Sequence, residues 1–483
     1  MPNKLLTAKL SDYLSTQMGL YFPEKRQEEL WQKMSMAMRD FNFDQVERFI
    51  HWLLSAPLTR QQIETLAGHL TVRETYFFRE NNTFELLEKT ILPELIQTRQ
   101  KNEKRLRIWC AGCSTGEEPY SMAILLTRLI PDIKDWNITI LATDISPQAL
   151  QKAGQGIYSE WSFRGTPQWV KEDYFNQVKG GQYEIRPSVK DLVQLSYLNL
   201  MEDVYPALPN NTNAMDLILC RNVLMYFSPD RAKSVAGRFY QCLIEGSFLI
   251  VGVVEVSALY FSSFIPVHLP HMTIYRKDGL FVKSKQKTAP DFKKEPIPVL
   301  PQGTGGKRSP ASLRKPVTVP AKIQPKPAAY EKAMDWYNQG RYPQAESELA
   351  GSLKDLKSMI LLARTLANQG KLTEALHCCE EALGMEKLNS GLHYLYASIL
   401  EEQGRFDEAV IALNKVRYLD PDFVLAHFAL GNLMQRLGRP KERQRYFRNT
   451  AELLSKYKAG EIIPESEGIT AGRLTEILSA INR

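Results

Sequence analysis

The stretch Arg107-Ile-Trp-Cys-Ala-Gly-Cys-Ser-Thr-Gly-Glu-Glu-Pro-Tyr-Ser121 constrains the fold more than any other part of the chain. Ile108 to Cys110 form a short apolar run that ends in the small residues Ala111 to Gly116. Two carboxylates follow, and then Pro119, which suits a first helical turn because the amide it lacks would have no partner there. Tyr120 to Ile130 continue with helical composition. Strand, glycine turn and helix in this order predict the opening of a doubly wound α/β nucleotide site.

The turn has neither the spacing of a dinucleotide fingerprint nor a Gly-Lys-Ser/Thr phosphate loop. Its acidic residues repel a pyrophosphate but suit a ligand with a ribose and positive charge, and S-adenosylmethionine carries both. A second strand, Trp136 to Asp144, is β-branched and ends in an acid ahead of a Ser146-Pro147 helix start. An acid at that tip accepts hydrogen bonds from a ribose diol. Asp144 also reads as a helix N-cap, and the first motif favours the ribose role. Met215 to Cys220 predict a further core strand, whose edge carries Arg221, Asn222 and Tyr226 towards the ligand crevice. Tyr226 reads either as a donor to a substrate carboxylate or as a capped core tyrosine. Arg79, in Thr75-Tyr-Phe-Phe-Arg79, presents a guanidinium able to hold a carboxylate in a fixed plane, unless it is an ordinary surface arginine.

Four segments in order carry a family resemblance: Arg73 to Glu80, Ser114 to Ser121, Ala142 to Ile145 and Cys220 to Phe227. Over roughly residues 1–278 the chain resembles the CheR family, chemotaxis-receptor glutamate O-methyltransferases that use S-adenosylmethionine. The resemblance implies a small helical domain at 1–72 and a Rossmann-like methyltransferase domain at 73–278, with a small antiparallel β insert at about 160–190. It implies cofactor contacts from Thr75, Arg79, Glu117 and Asp144, and from Asn199, Leu200, Arg221 and Asn222. Arg79 and Tyr226 would act at the methyl acceptor. It also implies that basic residues of the helical domain, here Lys25, Arg26, Lys33 and Arg39, help recognise an acidic receptor. Gly180-Gly181 between β-prone residues predicts a hairpin in the insert.

The net charge of +7 is unevenly placed, because residues 283–327 hold eleven Lys/Arg against two Asp/Glu. The remainder is about −2 by count, which excludes a generally basic nucleic-acid binder. With nine prolines and few apolar residues, the basic segment cannot bury a core, so 279–327 reads as a disordered linker. It acts as a solvated tether or as a contact to an anionic surface. Beyond it, Gly370, Gly404 and Gly438 recur every 34 residues, each followed by Lys or Arg, and Ala375 and Ala409 share that period. This predicts tetratricopeptide helix pairs over about 328–458 within an all-α unit at 328–483. Arg443 stands where the register asks for a small residue, so the last unit is degenerate. Such stacks bind proteins on a concave face, which gives an unknown protein partner for the repeats.

Met1 to Lys9 lack the apolar core of a signal peptide, and no window resembles a membrane span. A cytoplasmic location is therefore expected, and the resemblance implies a bacterial enzyme that reaches the membrane only indirectly, through its receptor. Cys110 and Cys113 have no second pair nearby, so no metal is expected. The alternatives are a methyltransferase-like scaffold acting through its repeats, or a methyltransferase of another protein or small acid.

Overall fold

The computed structural model describes the whole chain except residues 1–3, 72–73, 101–103, 209, 270–271, 279–328, 351–354 and 482–483. The expected linker and Arg73 lie outside the described residues. Among the described residues ten strands occur in chain order: β1 Arg105–Ala111, β2 Asn137–Asp144, β3 Ile157–Tyr158, β4 Phe175–Val178, β5 Gln182–Ile185, β6 Val193–Tyr197, β7 Met215–Cys220, β8 Leu243–Val251, β9 Ile265–Leu269 and β10 Met272–Arg276. Seven form one sheet in the order β6-β2-β1-β7-β8-β10-β9. Its first five strands are parallel, and β9 and β10 close it antiparallel. The order reverses beside β1, so the carboxyl ends of β1, β2 and β7 open a crevice.

Every residue of β1 is buried, as expected of a central parallel strand covered on both faces. Its side chains alternate between two cores. Ile108 and Cys110 join one with Leu217 and Ile250, while Trp109 and Ala111 join the other with Ile218 and Leu249. The helix expected after the glycine turn is Glu117–Leu129. The insert starts slightly earlier than expected, as a three-stranded antiparallel sheet β3-β5-β4, with Gly180 and Gly181 at φ +80 and +69° in its hairpin.

Residues 4–70 form helices around their own core, including Leu10, Leu30, Met34, Phe49 and Leu66. Ile145 and Tyr226 of the sheet unit pack against that core, so the small helical unit sits at the carboxyl end of β2 and β7. Of the four cations expected to meet a receptor, Arg26 pairs with Glu29 at 2.8 Å, and Lys33 donates to the Leu70 carbonyl at 2.8 Å.

The 34-residue period corresponds to helix pairs: Ala329–Asn338 with Tyr342–Leu349, Leu356–Asn368 with Leu372–Met385, Ser390–Glu402 with Phe406–Leu419, and Val424–Arg436 with Pro440–Leu454. The last pair forms despite Arg443, because the close approach has moved to the facing helix. A Cβ on Gly431 would meet the Phe447 ring at 2.3 Å. A final helix, Ala471–Ile481, adds Leu474 and Leu478 to the repeat core.

The repeats also pack on the sheet, which nothing in a tethered arrangement requires. Arg105, 1% exposed at the start of β1, pairs with Glu402 at 3.1 Å. Asn213 donates to the same carboxylate at 2.7 Å, and Asn137 donates to the Glu402 carbonyl at 2.6 Å. Two first helices of the repeats, Ser390–Glu402 and Val424–Arg436, face β2 and β6 across a polar cleft lined by Arg107, Gln194, Glu401 and Arg436. Removing one partner of a buried ion pair leaves an uncompensated charge. Glu402→Ala is therefore expected to weaken this contact by about 3 kcal/mol, seen as faster hydrogen exchange confined to β1 and Ser390–Glu402. Unchanged exchange there would show that the pair does not hold the contact.

Candidate functional site

The turn after β1 is tied to the tip of β2. Gly112 and Cys113 donate their amides to the Thr143 carbonyl at 2.8 and 2.9 Å. The Asp144 carboxylate accepts from Ser114 N and Ser146 N, both at 2.8 Å. The N-cap of the following helix is Ser146, whose hydroxyl accepts from Ala149 N, and not Asp144. The chain passes through the turn with Gly112 at φ +83°, and a Cβ there would lie 2.4 Å from Val223 Cγ2. Glycine at this position keeps Val223 on the wall of the crevice.

That crevice is a cavity of about 710 Å³, counted to its open mouth, and is lined by Ser114, Asp144, Asn199, Leu200, Asn222 and Tyr226 among others. Its apolar walls come from Ile145, Leu198, Val223 and Phe227, and from Met18 and Leu20 of the helical unit. The Ser114 hydroxyl is buried on this wall with no partner among the described residues. An apolar slot with a fixed carboxylate and an unmatched hydroxyl suits a nucleoside, so the donor set fits S-adenosylmethionine.

Four residues expected at the cofactor, Asp144, Asn199, Leu200 and Asn222, share this cavity with Tyr226. Thr75, Arg79, Glu117 and Arg221 do not line it. Glu117 is 1% exposed and accepts from Thr115 Oγ1 at 2.6 Å and Ser162 Oγ at 3.1 Å. Burial raises its pKa, against those hydroxyl bonds. Arg221 is buried between two carboxylates, Glu118 at 2.9 Å and Glu80 at 3.1 Å, and donates to the Arg79 carbonyl at 2.6 Å. Burial works against its charge, and Glu118 and Glu80 more than offset that. Arg79 itself sits between two left-handed residues, Phe78 at φ +55° and Glu80 at +61°, a backbone that costs about 1 kcal/mol or more at each non-glycine. Arg221 holds this bend from behind.

Burial raises the Tyr226 phenol above its ordinary value, while the Arg26 and Arg79 charges pull it down. The phenol is thus a neutral donor at neutral pH, with two cations nearby. The Arg26 guanidinium lies 5.8 Å from its ring centroid.

Two further residues organise the site. Arg26 reads in the sequence only as part of a diluted basic stretch, and nothing there signals that its helical unit folds over Tyr226. Glu255 ends Gly252-Val-Val-Glu255 after β8. Its carboxylate is 4% exposed and accepts four backbone amides: Asn222, Val223 and Gly252 at 2.7 Å and Met225 at 3.1 Å. It thereby shapes the loop that carries Asn222, at φ +60°, and Tyr226. Replacing it with an amide turns one acceptor into a donor facing N–H groups. Glu255→Gln is expected to destabilise the protein by about 2–4 kcal/mol, measured by urea unfolding. A loss below about 0.5 kcal/mol would mean the loop holds its shape without the carboxylate.

The parallel sheet with its reversal at β1, and the acid-tipped crevice with apolar walls, define an S-adenosylmethionine-dependent methyltransferase class. Residues 73–264 match the CheR methyltransferase, SAM binding domain model, and residues 360–422 match a tetratricopeptide repeat model. A chemotaxis protein methyltransferase of Borreliella burgdorferi is 33% identical over 236 residues, which cover 48% of this chain and 82% of that relative. A probable chemotaxis protein methyltransferase of Rhizobium etli is 32% identical over 237 residues, covering 48% and 86%. Chemotaxis protein methyltransferase 2 of Vibrio cholerae is 30% identical over 275 residues, covering 57% and 91%. The chain belongs to the CheR methyltransferase family, with S-adenosyl-L-methionine as its methyl donor. No helix among the described residues is long and apolar enough to cross a membrane.

Proposed function

We propose that this protein methylates glutamate side chains of a chemotaxis-type receptor, giving glutamate methyl esters that adapt its signalling. The observation that carries this reading is the Tyr226 phenol on the cavity wall, with the Arg26 and Arg79 charges near it but outside the lining, while no histidine lines that cavity among the described residues. A glutamate carboxylate is already ionised at neutral pH, so its alkylation needs no general base. It needs positioning and partial loss of water. S-adenosylmethionine supplies an electrophilic sulfonium methyl when bound and is released as S-adenosylhomocysteine.

In this reading Asp144 accepts from the ribose, Asn199 and Leu200 flank the adenine, and Asn222 contacts the rest of the donor. Arg79 orients the acceptor carboxylate by charge, and Tyr226 donates to the oxygen that does not react. Arg221 positions Arg79, and Glu117 supports the donor through the turn it braces. Thr75 acts through the same segment. The four-part organisation at 1–72, 73–278, 279–327 and 328–483 belongs to this proposal, as do a cytoplasmic location, membrane association through the receptor alone and a protein partner for the repeats.

The test is methyl transfer from tritiated S-adenosylmethionine to a receptor's signalling fragment. Volatile label released as methanol in base is the expected result. Label that resists base would point to a nitrogen or sulfur acceptor and overturn the carboxylate reading. No transfer to protein at all, with intact cofactor binding, would favour a small acid or a scaffold.

A further inference from the structure

Among the described residues, β6 is the edge strand of the main sheet and pairs only with β2. An edge strand lacks the second ladder that holds central strands in place. Yet β6 runs directly into Leu198, Asn199 and Leu200, which form one wall of the cofactor cavity. Side chains from other parts of the chain hold this end. Asn199 donates to the Gln17 carbonyl of the helical unit at 3.0 Å, and Arg238 donates to the Leu200 and Glu202 carbonyls at 2.6 and 2.9 Å.

Further support comes from the repeat unit. Arg473, on the helix Ala471–Ile481, is 8% exposed. It donates to the Tyr197 carbonyl at 2.8 Å, lies 4.6 Å from the Tyr197 ring centroid and approaches the Glu202 carboxylate to 3.6 Å. Arg60 of the helical unit lies over the same ring at 3.8 Å. Tyr197 is therefore a junction where guanidinium groups from both ends of the chain meet the last residue of β6. The helix bearing Arg473 is fixed to the repeats through Ile469, Leu474 and Leu478, which belong to their core.

We propose that Arg473 is a positioning residue for the cofactor site, so that the docked repeat unit completes the cavity wall rather than serving only as a tethered recruiter. A planar guanidinium does three things here at once: it bonds a carbonyl, stacks on a ring and faces a carboxylate, a combination an ammonium cannot reproduce. Losing it frees residues 198–202 to move, and the donor must then restrain them when it binds. The inference rests on the cavity being the cofactor site.

The test compares full-length wild type, Arg473→Ala and Arg473→Lys by calorimetry with S-adenosylhomocysteine, together with their melting temperatures and hydrogen exchange. Arg473→Ala is expected to bind about tenfold more weakly, with faster exchange at residues 198–202 and a nearly unchanged melting temperature. Arg473→Lys should recover part of the loss and remain about threefold weaker. In turnover assays the KM for the donor should rise while kcat at saturation stays within about twofold. A folded Arg473→Ala protein that binds as tightly as the wild type would overturn the proposal. Should that variant fail to fold, Arg473→Lys decides, and equality with the wild type would again overturn it. A wild type that binds no S-adenosylhomocysteine would sink the cofactor reading first, and this inference with it.

Discussion

Arg79→Ala is expected to lower methyl transfer by about a hundredfold or more, because misplacing a reacting group costs that much even when every other contact survives. S-adenosylhomocysteine affinity should change much less, since Arg79 does not line the cavity. The loss should also be larger than for Tyr226→Phe, which removes a hydroxyl and leaves both nearby cations in place. The informative comparison is kcat against calorimetric affinity in the same protein. Transfer at near wild-type rates to a glutamate-bearing fragment would remove Arg79 from the acceptor site. The prediction depends on the bend at Phe78 and Glu80, so Arg221→Ala should act in the same direction through the freed segment.

Asp144→Ala is the complementary case. It should weaken S-adenosylhomocysteine binding by about 1.5–3 kcal/mol, roughly ten- to a hundredfold. The same carboxylate fixes Ser114 N and Ser146 N, so some loss of thermal stability is expected as well. Calorimetry well below the melting transition separates the two effects. Unchanged affinity in a folded Asp144→Ala protein would take this residue out of the cofactor site.

Much of the architecture was legible because it rests on local chemistry. A β-branched strand tipped by Asp144, a Gly112 to Gly116 turn and Pro119 in a first helical turn each specify a local conformation, and together they specify a parallel crevice. The 34-residue period likewise marks helix pairs, because Gly370, Gly404 and Gly438 turn the chain at positive φ between paired helices while Ala375 and Ala409 are buried where the helices approach. Even there, Gly431 rather than position 443 makes room in the last pair, a choice that depends on Phe447 across the interface. The parts that were not legible depend on contacts distant in sequence. Arg105 and Glu402 are 297 residues apart, and a buried arginine on a central strand gives no sign of its partner. Arg221 reads as a crevice residue by position, yet its guanidinium turns to Glu80 and Glu118. Glu255 follows β8 in an otherwise apolar stretch, and only the fold brings four amides onto it.

The central claim is that this crevice directs the methyl group to a carboxylate oxygen of a protein. Mapping the methylated residues of a receptor's cytoplasmic fragment by mass spectrometry, before and after base hydrolysis, tests it most directly. The account predicts methyl groups on glutamate side chains, lost in base and absent when the full-length Arg79→Ala protein is used. Methyl groups on lysine, arginine or cysteine that survive base would contradict it.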